Sequence, residues 1–215
     1  KKAYKGSLGT SILKAFDLTV SATGLNEKTL KRLNIPYMVT TVNRNSHASY
    51  YPGATPLTLK LIFNKEGDIL GAQAIGYKGV DKRIDIIATA IKGNLKVWDL
   101  QEVEVAYAPP YNSAKDPVNI AGYAAENMIN GEHETFRYFE IDELLQDSNY
   151  QLLDVRTKME NRLGTIKDSI NIDVNELRDN LDSLNRDKTY LVFCQVGLRG
   201  YLRSEEHTSE LQSRQ

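Results

Sequence analysis

The stretch TYLVFCQVGLRG (residues 189–200) runs from β-branched, aromatic and aliphatic residues into a glycine-bearing loop, and the chain's one cysteine, Cys194, stands at the junction. The first half reads as a buried strand. Tyr201 and Leu202 then open what should be a helix. A cysteine at the carboxyl end of a strand, before a loop that opens a helix, sits where α/β folds place ligands. Loop N–H groups and a helix N-terminus aimed at the sulfur favour the thiolate. Gly197 and Gly200 let the backbone curl around it. Arg199 adds a fixed charge suited to an anionic sulfur donor. Cys194 is therefore the candidate catalytic residue, with Gln195, Val196, Gly197, Leu198 and Arg199 as candidate substrate-binding residues. The alternative for Cys194 is a small buried core thiol.

Working outward, YFEI (138–141), DELLQ (142–146), YQLLDVR (150–156), SINID (169–173) and VNELRDNLDSL (174–184) precede the cysteine strand. Short strands alternating with helices predict parallel pairing and an α/β domain over 136–202. The polar join GEHETF (131–136) marks its start. From Arg203 the chain reads RSEEHTSELQSRQ, without apolar periodicity. RSEEHTSELQS resembles the translation of a sequencing-library adapter. Residues 203–215 are therefore expected to be foreign, which leaves the α/β domain incomplete. A natural polar tail is the alternative.

The loop CQVGLR resembles the active loop of rhodaneses, and LLDVRTKMENRLGTIKDSINI (152–172) resembles their second signature. Asp154, Arg156, Gly164, Ile166, Asn171 and Ile172 match that pattern, whereas Thr165 stands for the usual His and Ser169 for the usual Ala. The resemblance implies that Cys194 accepts a sulfane sulfur, holds it as a persulfide and passes it to a thiol acceptor. Related phosphatases carry a longer loop; the four residues between Cys194 and Arg199 suit sulfur better. Asp154 and Arg156 are expected to form a structural ion pair.

Residues 1–131 follow a different pattern. FDLTVSATG (16–24) and IPYMVTTV (35–42) read as strands, with a short helix, EKTLKRL, capped by Asn26 between them. LTLKLIFN (57–64) and ILGAQAIG (69–76) make the clearest hairpin, turned by KEGD. VDKRIDIIATAIKGN (80–94) has helical apolar spacing. VEVAYA (103–108) reads as a strand. DPVNIAGYAAENMING (116–131) reads as a helix with Asp116 at the cap and Pro117 at its first position. The whole is an α+β domain, a sheet with helices.

This first domain carries no GxGxxG, CxxC or metal-ligand cluster. YKGSLGTSILKAFDLTVSATGLNEKTLK (4–31) and YAPPYNSAKDPVNIAGYAAEN (107–127) resemble the dimerisation domain of the pyridine nucleotide-disulfide oxidoreductases, in the single-cysteine subgroup of coenzyme A-disulfide reductases, NADH oxidases and persulfide reductases. The resemblance implies an antiparallel sheet with helices, and a homodimer formed through residues 1–131. It also implies that aromatic hydroxyls approach the partner's flavin and redox cysteine. Tyr51, beside Tyr50, and Tyr111, near Tyr107, occupy the matching stretches; interface packing is their alternative role. A phenol there could hydrogen-bond a thiolate or protonate a leaving thiol.

The fusion implies part of an FAD- and NAD(P)H-dependent reductase of coenzyme A disulfide, persulfide or polysulfide. Small-molecule thiols, persulfides and coenzyme A are its expected partners. The flavin- and nicotinamide-binding domains lie outside these residues, so this chain alone is not expected to perform the redox step. The competing reading is a stand-alone dimeric sulfur carrier. A net charge of -1 offers no field for nucleic acid or an anionic membrane. No apolar run approaches the roughly 18 residues of a membrane span. One unpaired cysteine suits a reducing cytoplasm. No signal peptide is visible, and with Lys1 rather than Met at the first position a missing true start is an expectation.

Overall fold

The computed structural model describes residues 3, 4, 6–197, 199 and 200. The chain divides between Gly131 and Glu132 into two compact units. The first holds a five-stranded sheet built from β1 (Ser11–Ala15), β2 (Leu18–Gly24), β3 (Met38–Asn45), β4 (Pro56–Phe63) and β5 (Ile69–Gly76). The strand order is β1-β2-β5-β4-β3, and every pairing is antiparallel. Helix α1 (Glu27–Leu33) follows β2, capped by Asn26, whose side chain accepts from the Thr29 N–H. It buries Leu30 against Val39 and Ile62 on one face of the sheet.

Helices α2 (Val80–Lys92) and α4 (Pro117–Ile129) cover the other face. Alternation puts Leu57, Leu59, Leu61 and Phe63 of β4 and Ala72 and Ala74 of β5 on that face, where they meet Val80, Ile84 and Ile87 of α2 and Val118, Ala121 and Ala125 of α4. Asp116 and Asn119 close a capping box around the start of α4. The small residues of β5 have a second purpose: a Cβ on Gly71 would stand 2.2 Å from the Leu25 carbonyl oxygen, so the chain after β2 can lie this close only over a glycine.

Two local expectations fail in this unit, and one strand was not foreseen. The strand read as 16–24 starts at Leu18, because Phe16 takes a left-handed conformation (φ 54) and, with Asp17, turns the chain out of β1, a strand the sequence reading missed, and back along it as β2. All five residues of β1 are exposed, so it carried no burial signal. Residues 103–108 form no strand: the Asn119 side chain donates to the carbonyls of Leu100 and Val103, and Lys82 donates to that of Ala106, so side chains satisfy that backbone. A short helix α3 (Asp99–Glu102) precedes them.

The second unit has a parallel three-stranded sheet of order β7-β6-β8, made of β6 (Tyr150–Asp154), β7 (Ile170–Asn171) and β8 (Thr189–Phe193). Its core gathers Leu153, Val155, Leu177 and Leu184, with Cys194 packed at the edge. Helices α5 (Ile141–Leu144) and α6 (Lys158–Arg162) flank β6 in sequence. YFEI is not a strand: it turns into α5 with Tyr138 and Phe139 exposed. The helix expected over 174–184 is reduced to a 3₁₀ segment, Arg178–Ser183. Side chains compete for its backbone there, Asn180 donating to the Glu176 carbonyl and Ser183 to that of Asn180. The expected helix beginning at Tyr201 and the segment 203–215 lie outside the described residues.

No helix among the described residues is long and apolar enough to cross a membrane. No group of three or more His, Cys, Asp or Glu among them is placed to hold a metal ion.

Candidate functional site

Strand β8 delivers Cys194 to the carboxyl end of the parallel sheet, one residue past Phe193, which pairs with Asp154 of β6. The thiol is half-buried and free of any disulfide. The backbone then doubles back. Gly197, at φ 91, turns its N–H onto Cys194 Sγ at 3.2 Å. A side chain at that φ would be strained, so this glycine is what lets a loop amide face the sulfur. Gln195, Val196 and Gly197 are exposed around it. Leu198 lies outside the described residues.

Arg199 does not point an open fork at the thiol. Its Nη1 and Nη2 donate to the two carboxylate oxygens of Glu160, at 2.8 and 2.6 Å. Glu160 sits on α6, where it also accepts from the Thr157 backbone N–H and hydroxyl in a capping box. Arg199 first, and Thr157 after it, hold the Glu160 carboxyl well below the usual carboxylate range. Glu160 in turn raises the Arg199 guanidinium further above its ordinary value, with a smaller contribution from Cys194.

Behind the loop lies Asp154, fully buried. Burial by itself pushes its carboxyl up. Hydrogen bonds from the Arg156 side chain at 2.8–3.2 Å, from Asn161 at 3.0 Å, from the Arg156 backbone and from Thr165 at 2.9 Å outweigh it and hold the pKa at about 2. The ion pair with Arg156 is therefore a structural hub, and the hydroxyl of Thr165 supplies one of its donors. Arg156 also lies over the Phe193 ring, 5.9 Å from its centroid, directly before the cysteine.

In the first unit one pair forms among these four tyrosines, and spacing alone did not reveal it. The hydroxyls of Tyr50 and Tyr107 stand 3.5 Å apart on exposed side chains. Tyr107 holds the Tyr50 phenol above its ordinary value, chiefly through that contact. Tyr51 instead turns its ring edge-on to His47, with centroids 6.1 Å apart, and Tyr111 is exposed at the end of the 108–111 turn. So the structure does not join Tyr51 to Tyr111; it joins their neighbours.

What positions both loops is Arg83, which sequence reasoning passed over. It is buried on α2 and donates to the carbonyls of Gly79 and Ser46 and to Asn112 Oδ1, at 2.9–3.0 Å. Its Nη2 also pairs with Asp116 at 3.1 Å. The Ala48 N–H donates to the Asn112 carbonyl, tying the loop of Tyr50 and Tyr51 to that of Tyr107 and Tyr111. The signal was present in the sequence: a charged residue one position before Ile84, on the stripe of Val80 and Ile87. Glu160 had a signal as well, the T-x-x-E spacing from Thr157.

Residues 10–117 match the model of the pyridine nucleotide-disulphide oxidoreductase dimerisation domain, and residues 140–212 match the rhodanese-like domain. The second match runs past residue 202, the boundary read from the sequence. A coenzyme A disulfide reductase of Staphylococcus epidermidis is 44% identical over 124 residues, which is 57% of this chain and 28% of that protein. The reduced Bacillus anthracis CoADR-RHD crystal structure superposes with a TM-score of 0.93 at 56% identity, over 96% of this chain and 37% of that one. A NAD-dependent persulfide reductase from A. fulgidus superposes with a TM-score of 0.86 at 35% identity, over 95% of this chain and 37% of that one. The chain thus spans about a third of these relatives. By its antiparallel sheet with two covering helices, and by the match over residues 10–117, it belongs to the pyridine nucleotide-disulphide oxidoreductase dimerisation-domain family, with a rhodanese-like domain following in the same chain.

Proposed function

We propose that residues 1–131 and 136–202 are the dimerisation and sulfur-carrying modules of a longer FAD- and NAD(P)H-dependent reductase of coenzyme A disulfide, a persulfide or a polysulfide. The observation that carries the proposal is the contact of the Gly197 N–H with Cys194 Sγ at the end of β8, in the same chain as the dimerisation domain. The names of the relatives, coenzyme A disulfide reductase and persulfide reductase, support the substrate class. The domain match supports a homodimer through residues 1–131. The single cysteine supports a cytoplasmic setting.

The residues present do not build a flavin or nicotinamide site. The sheet of the first unit is antiparallel throughout, and the loop after β8 wraps a thiol rather than a pyrophosphate. No step is therefore routed through either cofactor, and in this reading both are held outside residues 1–215.

What these residues supply is sulfur transfer. The Cys194 thiolate attacks the outer sulfur of a persulfide, R–S–SH. A new S–S bond forms at Cys194, the old one breaks, and R–S⁻ leaves to be protonated by solvent. The loop amide at Gly197 stabilises the charge on sulfur at each stage. A thiol acceptor then reverses the step. On the dimerisation domain, Tyr51 and Tyr111, with their sequence neighbours Tyr50 and Tyr107, are the candidate proton donors to a leaving thiol.

The test is turnover. The intact chain, given glutathione persulfide and cyanide, should form thiocyanate at a rate that Cys194→Ser abolishes. An equal rate in the variant would remove Cys194 from the reaction.

A further inference from the structure

Resting on the reading of Cys194 as a sulfur carrier, the geometry points to Glu160 as the residue that sets which sulfur donor the loop accepts: by occupying both arms of the Arg199 fork, it offsets the positive charge that would hold the sulfonate end of a small dianionic donor such as thiosulfate, and leaves the loop to persulfides, which have no such end to hold.

Around Cys194 the described residues place two cations, Arg156 and Arg199, and two carboxylates, Asp154 and Glu160. Each cation is paired with one carboxylate, and the four lie close enough that Arg156 feels both Glu160 and Arg199. The cluster is neutral before the thiol ionises and negative once it does. Glu160 is held from two sides, by Arg199 and by its capping box with Thr157, and neither side depends on a ligand. A bidentate guanidinium–carboxylate contact uses the same planar fork that would hold a sulfonate or phosphate. Both arms of the Arg199 fork are thus engaged inside the protein.

The two donors differ in what leaves. When a thiolate takes the outer sulfur of thiosulfate, the S–S bond breaks and sulfite departs as a dianion, which a neutral or negative loop repels. When it takes the outer sulfur of R–S–SH, the S–S bond breaks and the departing sulfur carries a single negative charge, which one proton from solvent neutralises. The second exchange needs no cation at the rim. Glu160 acts through Arg199 and is a positioning residue.

Two measurements test this on the whole chain, and neither depends on stability alone. Cys194 is the only thiol, so alkylation reports it directly. The ratio of its rates with iodoacetate, an anion, and with iodoacetamide, which is neutral, should be no higher than the ratio for free glutathione in the same buffer. Glu160→Gln keeps a capping side chain at that helix position. It should raise the ratio roughly tenfold by freeing Arg199, and Glu160→Gln with Arg199→Gln should cancel the rise. Thiosulfate-dependent thiocyanate formation, relative to that from glutathione persulfide, should rise with the same variant. A wild-type chain that already prefers iodoacetate, or a variant whose ratios do not move, overturns the assignment of Glu160. A chain that shows the alkylation pattern yet takes sulfur from neither donor overturns the sulfur-carrier reading instead.

Discussion

Arg83 and Asp116 form an ion pair with Nη2 3.1 Å from Oδ2, and both side chains are sealed from solvent at 1% and 0% exposure. The pair joins α2 to the cap of α4, and through Ser46 and Asn112 it fixes the two loops that carry the tyrosines. Asp116 Oδ2 has no hydrogen bond of its own beyond this electrostatic contact, so its charge depends on Arg83.

Removing one partner therefore strands a buried charge. Arg83→Met should cost about 3–5 kcal/mol, whereas the double change Arg83→Met with Asp116→Leu should recover part of it. Urea unfolding followed by the fluorescence of Trp98, the only tryptophan and a residue of the first unit, reports this directly. A loss below about 1 kcal/mol for the single variant would mean that the pair is not the tie described here.

Asp154 makes the second unit acid-sensitive. Its folded pKa of about 2 lies below the ordinary 3.8, so its contribution is present above pH 3.8 and is lost as pH falls toward 2. The difference corresponds to about 2 kcal/mol. Hydrogen exchange of the β6 and β8 amides should show protection falling across that window. An Asp154→Asn chain, already weakened, should lose no further protection there. Equal acid dependence in both chains would assign the effect to other carboxylates.

The Tyr50–Tyr107 contact predicts a titration. In the wild-type chain the Tyr50 phenol should ionise above its ordinary value of 10.0, and in Tyr107→Phe it should return toward it. Carbon-13 labelling of the tyrosine ring carbon that bears oxygen resolves the curve. An unmoved Tyr50 would show that the two hydroxyls do not interact in solution.

Much of this was readable from residues alone, for physical reasons that also explain the failures. The β4–β5 hairpin, α1, α2 and α4 carry period-two or helical apolar spacing together with caps at Asn26 and Asp116, and local and global preferences agree there. The strand leading into Cys194 was legible because it is bounded on one side by glycines. Residues 103–108 and 138–141 have strand-like composition but find no sheet edge, and β-propensity means little without a partner. β1 has a partner but no burial. At the site, Cys194 and Gly197 are neighbours in sequence and were found together. Arg199 and Glu160 are far apart in the chain, and only folding shows that the loop's cation is already taken.

The central claim is that Cys194 carries sulfur, and the most direct measurement is the intact mass of the chain after incubation with glutathione persulfide. The account predicts one added sulfur atom, located to Cys194 on digestion, removed by dithiothreitol and absent from Cys194→Ser. A mass that does not change, with the thiol still open to iodoacetamide, would contradict it.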